Sequence, residues 1–125
     1  MSHYDLDKMY CGATKRGEMF LISGDHEERL VVVVQDNILN ERLSTVLAIP
    51  LEPHPEHHPL FKNELLLKPS ETSLARPAVC LVHRMEAIDR RRVLAKTGEL
   101  SPERLQELFQ IIDVNMGRFR DKNHH

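Results

Sequence analysis

A chain of 125 residues, 41% hydrophobic and 29% charged, fits one domain with enough apolar content to build a core without cross-links. Its net charge of −2, lack of Trp and 5% aromatic content argue against broad phosphate-driven binding and against a platform of stacking rings. A local basic groove formed across a dimer stays compatible with that balance. The two cysteines, Cys11 and Cys80, show no disulfide pattern and read as reduced thiols, Cys80 inside the apolar run Ala78–Val82.

Residues 1–16 form a polar N-terminal arm, with Tyr4, Leu6, Met9 and Tyr10 compatible with a short amphipathic helix. The arm has no apolar segment of signal-peptide type, and no run in the chain approaches a membrane span, so a cytoplasmic protein without membrane contact is expected. Arg16-Gly17 opens a first strand, Glu18 to Ile22, and the polar loop Ser23-Gly24-Asp25-His26-Glu27-Glu28 joins it as a hairpin to the next. That next strand carries Val31 to Val34. Four consecutive β-branched residues flanked by polar groups predict a strand buried on both faces, because a surface strand would alternate. The cluster Gln35-Asp36-Asn37 then turns the chain, and a third strand runs from Ser44 to Leu51.

The segment EPHPEHHP follows. Pro50, Pro53, Pro55 and Pro59 argue against a central strand or helix there and predict an exposed loop. Its histidines lack the spacing of a metal site and have no Cys partner, so no metal is expected. Asn63 to Lys68 reads as a fourth strand, Pro69 to Thr72 as a turn, and Ala78 to His83 as a buried fifth strand. Ile88 to Leu94 reads as a bend or a turn of helix, and Lys96 to Leu100 as one more short strand. Ser101-Pro102 starts a helix, with Ser as cap and Pro at the first helical position. Leu105, Leu108, Phe109, Ile112 and Met116 fall on one face of it, and Gly117 stops it. Residues 17–117 thus form the folded domain and 118–125 a polar tail. Short strands followed by one amphipathic helix predict a mainly β protein: a compact antiparallel barrel covered by a C-terminal helix.

Three residues stand out chemically. Arg29, at the mouth of the valine strand, can hold a phosphate in a bidentate grip; alone it equally fits a surface ion pair with Asp25, Glu27 or Glu28, which is the commoner arrangement. Thr45, at the start of the third strand, can orient an oxygen or serve only as a β-branched strand residue. His83 ends a buried strand, where it is either a general acid or base or a hydrogen-bonded structural group. Beside it, Arg84 and the run Arg90-Arg91-Arg92 supply positive charge. The chain contains no Gly-rich phosphate loop and no Cys-x-x-Cys pair, so no cofactor is expected.

Taken together, Arg29 with its valines, Gln35-Asp36-Asn37, Asn40, Ser44-Thr45, the VCLVHRMEAID segment and the LSPERLQELFQ helix resemble the MazF/PemK/Kid toxin family over about Arg16 to Gly117. That resemblance implies a CcdB/MazF/PemK-like barrel assembled as a homodimer. It also implies a metal-independent endoribonuclease that cleaves single-stranded RNA and is neutralised by an antitoxin protein. It places the family's catalytic arginine on Arg29 and its threonine on Thr45, with His83 standing in for the acidic partner on the fifth strand. Arg16, Gln35, Asn37 and Arg84 are then the candidates for RNA contact. The chain departs from the family pattern at Leu30, where a proline is usual, and in its short loop before Arg29. The alternative expectation is a catalytically degenerate module on the same scaffold that acts through protein partners.

Overall fold

A computed structural model describes residues 9–54, 59–118 and 120. Seven strands and two helices follow in the order β1 (Glu18–Ser23), β2 (Glu28–Val33), α1 (Asn37–Arg42), β3 (Thr45–Pro53), β4 (Glu64–Leu67), β5 (Ala78–Leu81), β6 (Glu86–Asp89), β7 (Val93–Glu99) and α2 (Pro102–Asn115). All pairings are antiparallel, and the sheet order is β4-β5-β3-β2-β1-β7 with β6 also on β3. Among the described residues β4 and β7 end the sheet without pairing to each other, so the expected barrel is an antiparallel sheet that does not close.

The valine strand is the centre of this sheet, as its composition predicts. Leu30, Val32 and Val34 join one core with Met19, Ile49, Leu67, Cys80, Leu108 and Ile112, on the side that α2 covers. Val31 and Val33 point the other way, into a second core with Phe20, Ile22, Val46, Ala48, Ile88 and Val93. A strand between two cores has no solvent face, so every position favours an apolar residue. Tyr10 of the N-terminal arm closes the second core edge-on to Phe20, at 5.3 Å between ring centres.

Helix α2 begins as predicted: Ser101 accepts a hydrogen bond from the Arg104 amide at 3.2 Å, and Pro102 occupies the first turn. Beyond its last turn Gly117 adopts φ +76°, the left-handed conformation that ends helices and that a side chain would strain.

Four expectations are corrected. The Gln35-Asp36-Asn37 cluster does not simply turn the chain; it leads into α1. Gln35 Nε2 donates to Asn40 Oδ1 and Asn40 Nδ2 returns a bond to the Gln35 carbonyl, both at 2.9 Å, which closes the first helical turn on the strand end. Pro50 and Pro53 lie inside β3, a central strand, rather than in an exposed loop. Pro50 falls between the residues paired with β6 (Thr45 to Ala48) and those paired with β5 (Leu51 to Pro53), where β3 changes partner and a missing N–H is tolerated. The predicted loop is described only at its ends; residues 55–58 lie outside the described residues, as do 1–8 of the arm and 119 and 121–125 of the tail.

The turn of helix or bend expected over Ile88 to Leu94 is confined to a 3₁₀ turn at Arg90–Arg92, and the flanking residues are instead the end of β6 and the start of β7. Asp89 makes that turn by accepting from the Arg91 amide at 2.9 Å. Finally, the fifth strand stops at Leu81, not His83. Opposite Ile49 and Pro50 the chain has five residues, Leu81 to Met85, and the excess loops out as a 3₁₀ turn, Val82–Arg84.

Candidate functional site

The hairpin β1–β2, the start of β6 and the 3₁₀ turns on either side of β6 meet around Arg29. Arg29 is the second residue of β2, opposite Ile22 of β1, and directly precedes Leu30, which pairs with Leu51 of β3. It therefore sits beside the Glu52 end of β3. Arg29 Nη2 donates to Glu86 Oε1 at 2.7 Å, with both side chains somewhat over a third exposed. The expected surface partners Asp25, Glu27 and Glu28 are close in sequence, yet the carboxylate that holds the guanidinium comes from 57 positions away.

Two adjoining clefts share the Arg29–Glu86 pair as a common wall. One, of about 460 Å³, is lined by Gly24, Asp25, His26, Glu27 and Arg92 in addition to the pair. The other, of about 370 Å³, runs along Leu30, Pro50, Leu51, Glu52 and Pro53 to Leu74 and Arg84. Arg84 Nη1 donates to Glu52 Oε1 at 3.2 Å across its mouth. Arg92 Nε donates to the Ser23 carbonyl at 2.8 Å, which ties the 3₁₀ turn after β6 to the end of β1. The Gly24 amide donates to the Glu27 carbonyl at 3.0 Å and folds the hairpin tip back over the first cleft. A guanidinium has five N–H donors in a planar fork, and one bond to Glu86 leaves donors for an incoming anion. Arg29 and Arg84 on the same cleft offer two such forks, each partly neutralised by its own glutamate.

The structure divides the residues singled out by sequence into two groups. Arg29 and Arg84 share a cleft. Thr45 does not join them: it is the first residue of β3, paired with Asp89, seven positions from Glu52, or about 23 Å along the strand. Gln35 and Asn37 lie at that far end and are occupied there. Gln35 Nε2 also donates to the Thr45 carbonyl at 3.0 Å, and Asn37 Oδ1 accepts from the Arg16 amide at 2.7 Å. The Arg16 guanidinium stacks 4.4 Å above the Phe109 ring of α2. His83, carried outward on its 3₁₀ turn, is exposed and pairs through Nδ1 with Asn63 Nδ2 at 2.9 Å. It lines neither cleft. Sequence reasoning missed Glu86 and His26, and took Arg92 only as part of a basic run; these are groups that surround Arg29. Each looks like ordinary surface charge until β6 is paired with β3 and the hairpin is folded over it.

Among the described residues no three His, Cys, Asp or Glu side chains gather as metal ligands; His54 is described, while His57 and His58 lie outside them. No described helix is long and apolar enough to cross a membrane.

Solved structures share this arrangement of strands and helix. An endoribonuclease solved with its cognate antitoxin from a Mycobacterial species superposes with a TM-score of 0.70 at 16% identity, over 82% of this chain and 94% of that one. The Mycobacterium tuberculosis toxin MazF-mt6 gives 0.70 at 15%, over 80% and 96%. A MazE–MazF structure from Deinococcus radiodurans gives 0.68 at 18%, over 85% and 97%. At such identities the likeness establishes the fold. Among curated proteins no sequence match is found. The sequence itself matches a family model over residues 15–115, from the end of the N-terminal arm to the last turn of α2. The chain belongs to the PemK-like, MazF-like toxin family of type II toxin–antitoxin systems.

Proposed function

We propose that the protein is a metal-independent endoribonuclease that cleaves single-stranded RNA, with Arg29 as the group that stabilises the reacting phosphate. Family membership supports the toxin role, and two structures sharing the fold are described as endoribonucleases. The single observation that carries the reading is the placing of Arg29: on a rigid strand, at the wall between two open clefts, with donors to spare. In this chemistry the RNA 2′-hydroxyl attacks the adjacent phosphate. The new 2′-O–P bond forms as the P–O5′ bond breaks, leaving a cyclic phosphate and a 5′-hydroxyl. Negative charge accumulates on the phosphoryl oxygens at the transition state, and a pre-placed guanidinium stabilises it most when water is displaced. Arg84 holds the chain of phosphates along the second cleft. The same surface suits an extended segment of an antitoxin protein, as an endoribonuclease of this fold has been solved with its cognate antitoxin. A homodimer would join two such clefts.

The test is incubation of the purified protein with a long RNA in EDTA, followed by mapping of 5′-hydroxyl ends. Cleavage at defined positions is expected, and Arg29→Ala should reduce it by about 100-fold or more while abolishing growth arrest on induction. Intact RNA at excess protein would instead leave a module that acts through protein partners.

A further inference from the structure

The geometry points to an acid–base couple around Arg29: Glu86 takes the proton of the attacking 2′-hydroxyl, and His26 returns one to the departing 5′-oxygen. The inference rests on the ribonuclease reading and names the groups that reading still lacks, since His83 is committed to Asn63 and lines neither cleft. Three observations carry it. Glu86 is the carboxylate in contact with the Arg29 guanidinium, at 2.7 Å through Oε1, so a phosphate gripped by Arg29 brings its 2′-hydroxyl within reach of Oε2. Glu86 lies on β6, held in register against Ala48 of the central strand, whereas Glu27, the other carboxylate common to both clefts, sits at an exposed hairpin tip. A base on a strand keeps its position better than one on a loop. His26, on the same exposed hairpin tip as Glu27, lines the cleft that holds Arg29 and Glu86.

The proton balance is complete. Glu86 accepts the 2′-hydroxyl proton as the 2′-O–P bond forms, and the imidazolium of His26 gives its proton to O5′ as the P–O5′ bond breaks. The enzyme is left with a neutral Glu86 and a neutral His26, and exchange with water restores both. The charged groups lining the clefts around this couple are Arg29, Arg92, Asp25 and Glu27 in the first, and Glu28, Glu52 and Arg84 in the second, which Glu86 also lines.

The experiment compares the wild type with Glu86→Gln and His26→Ala on two oligonucleotides spanning a mapped cleavage site. One is ordinary RNA; the other carries a bridging 5′-sulfur there, a leaving group that departs without a proton. Glu86→Gln keeps the shape and can still bond to Arg29, yet it cannot take a proton. It should lower kcat by about 100-fold or more on both substrates and remove the acid limb of the pH–rate profile. Glu86→Asp, which restores a carboxylate, should recover part of the rate. His26→Ala should be slow on RNA, lose the alkaline limb, and recover to near the wild-type rate on the sulfur substrate. Wild-type turnover by Glu86→Gln would overturn the base assignment and leave the ribonuclease reading standing. Equal slowing of His26→Ala on both substrates would overturn the acid assignment. A wild type that cleaves no RNA would overturn the couple and the reading beneath it together.

Discussion

Gly24 illustrates how one atom governs the cleft. A Cβ on this residue would lie 2.3 Å from the Glu27 carbonyl oxygen, a backbone atom that cannot swing aside, and 3.7 Å from Arg29 Nε. The same carbonyl accepts the Gly24 amide, so the hairpin tip closes only with hydrogen at this position. Gly24→Ala should therefore open the tip, destabilise the fold by about 1–3 kcal/mol and slow RNA cleavage, with thermal melting and a cleavage assay as the two readouts. Unchanged melting with unchanged cleavage would show the tip to be irrelevant to the cleft. At this scale, of the three residues singled out for chemistry in the sequence, only Arg29 lines the two clefts, while Thr45 and His83 lie elsewhere. A charged residue at the head of a run of apolar strand residues has to emerge at the end of the strand, so Arg29 could be located from its neighbours. Thr45 was joined to it by resemblance, and nothing in the linear order reveals that β3 runs the full height of the sheet between them. His83 depends on a three-residue excess opposite Ile49 and Pro50, which only the pairing of two different strands with β3 makes visible.

Strand pairing and the two cores place the elements, and Arg104 adds a polar tie between three of them. From the first turn of α2 its Nε donates to Glu71 Oε2 at 2.8 Å, Nη1 donates to Glu107 Oε2 at 2.6 Å, and Nη2 donates to the Leu66 carbonyl. One guanidinium thus fastens α2 to β4 and to the 3₁₀ turn Pro69–Glu71. Burial in that crevice pushes the Glu71 carboxyl up. The Lys68 backbone amide and the Arg104 guanidinium outweigh burial, and the group ends below its usual 4.5. A carboxyl depressed in the folded state binds protons more readily once unfolded, so its contribution is complete above pH 4.5 and is lost as pH falls below it. Glu71→Gln should accordingly melt below the wild type at neutral pH, with the gap narrowing as the solution is acidified through that range. A gap independent of pH would mean that the pair adds no charge-dependent stability. Arg104→Ala should cost about 2 kcal/mol, the worth of charge-assisted bonds at a half-buried site. The long strands and α2 were legible because their apolar positions repeat at period two or 3.6 or run unbroken. The stretch from Ile88 to Leu94 was legible only as a turn, because Arg90 to Arg92 interrupt the strand pattern on either side of the bond to Asp89. Helix α1 escaped notice for a related reason: it is six residues long, and Asn40 is its only buried member.

On the scale of the molecule, the two cores on opposite sides of β2 make the fold depend on α2. Leu108, fully buried, and Ile112 cover the side containing Met19, Leu67 and Cys80. Without that cover this face of the sheet would present a continuous apolar surface to water. Cys80 provides a reporter for it. Its thiol is fully buried on β5, between β3 and β4, and burial pushes its pKa up to about 12, so neither access nor ionisation allows it to react in the closed protein. Cys11 is exposed and serves as an internal control. A thiol reagent should label Cys11 at once and Cys80 only through opening of the core. Leu108→Ala leaves a cavity beneath α2 and should cost about 3 kcal/mol. If Cys80 reacts through the same global opening, its labelling should accelerate by about 100-fold while that of Cys11 is unchanged. Mass spectrometry of the two peptides over time measures both rates in one sample. An accelerated Cys80 with an unaltered melting temperature would mean that α2 detaches alone and that the sheet holds together without it. Equal changes in labelling and melting would show that the helix, the β3–β5 pairing and the valine strand form one cooperative unit, on which the Arg29 cleft depends for its shape.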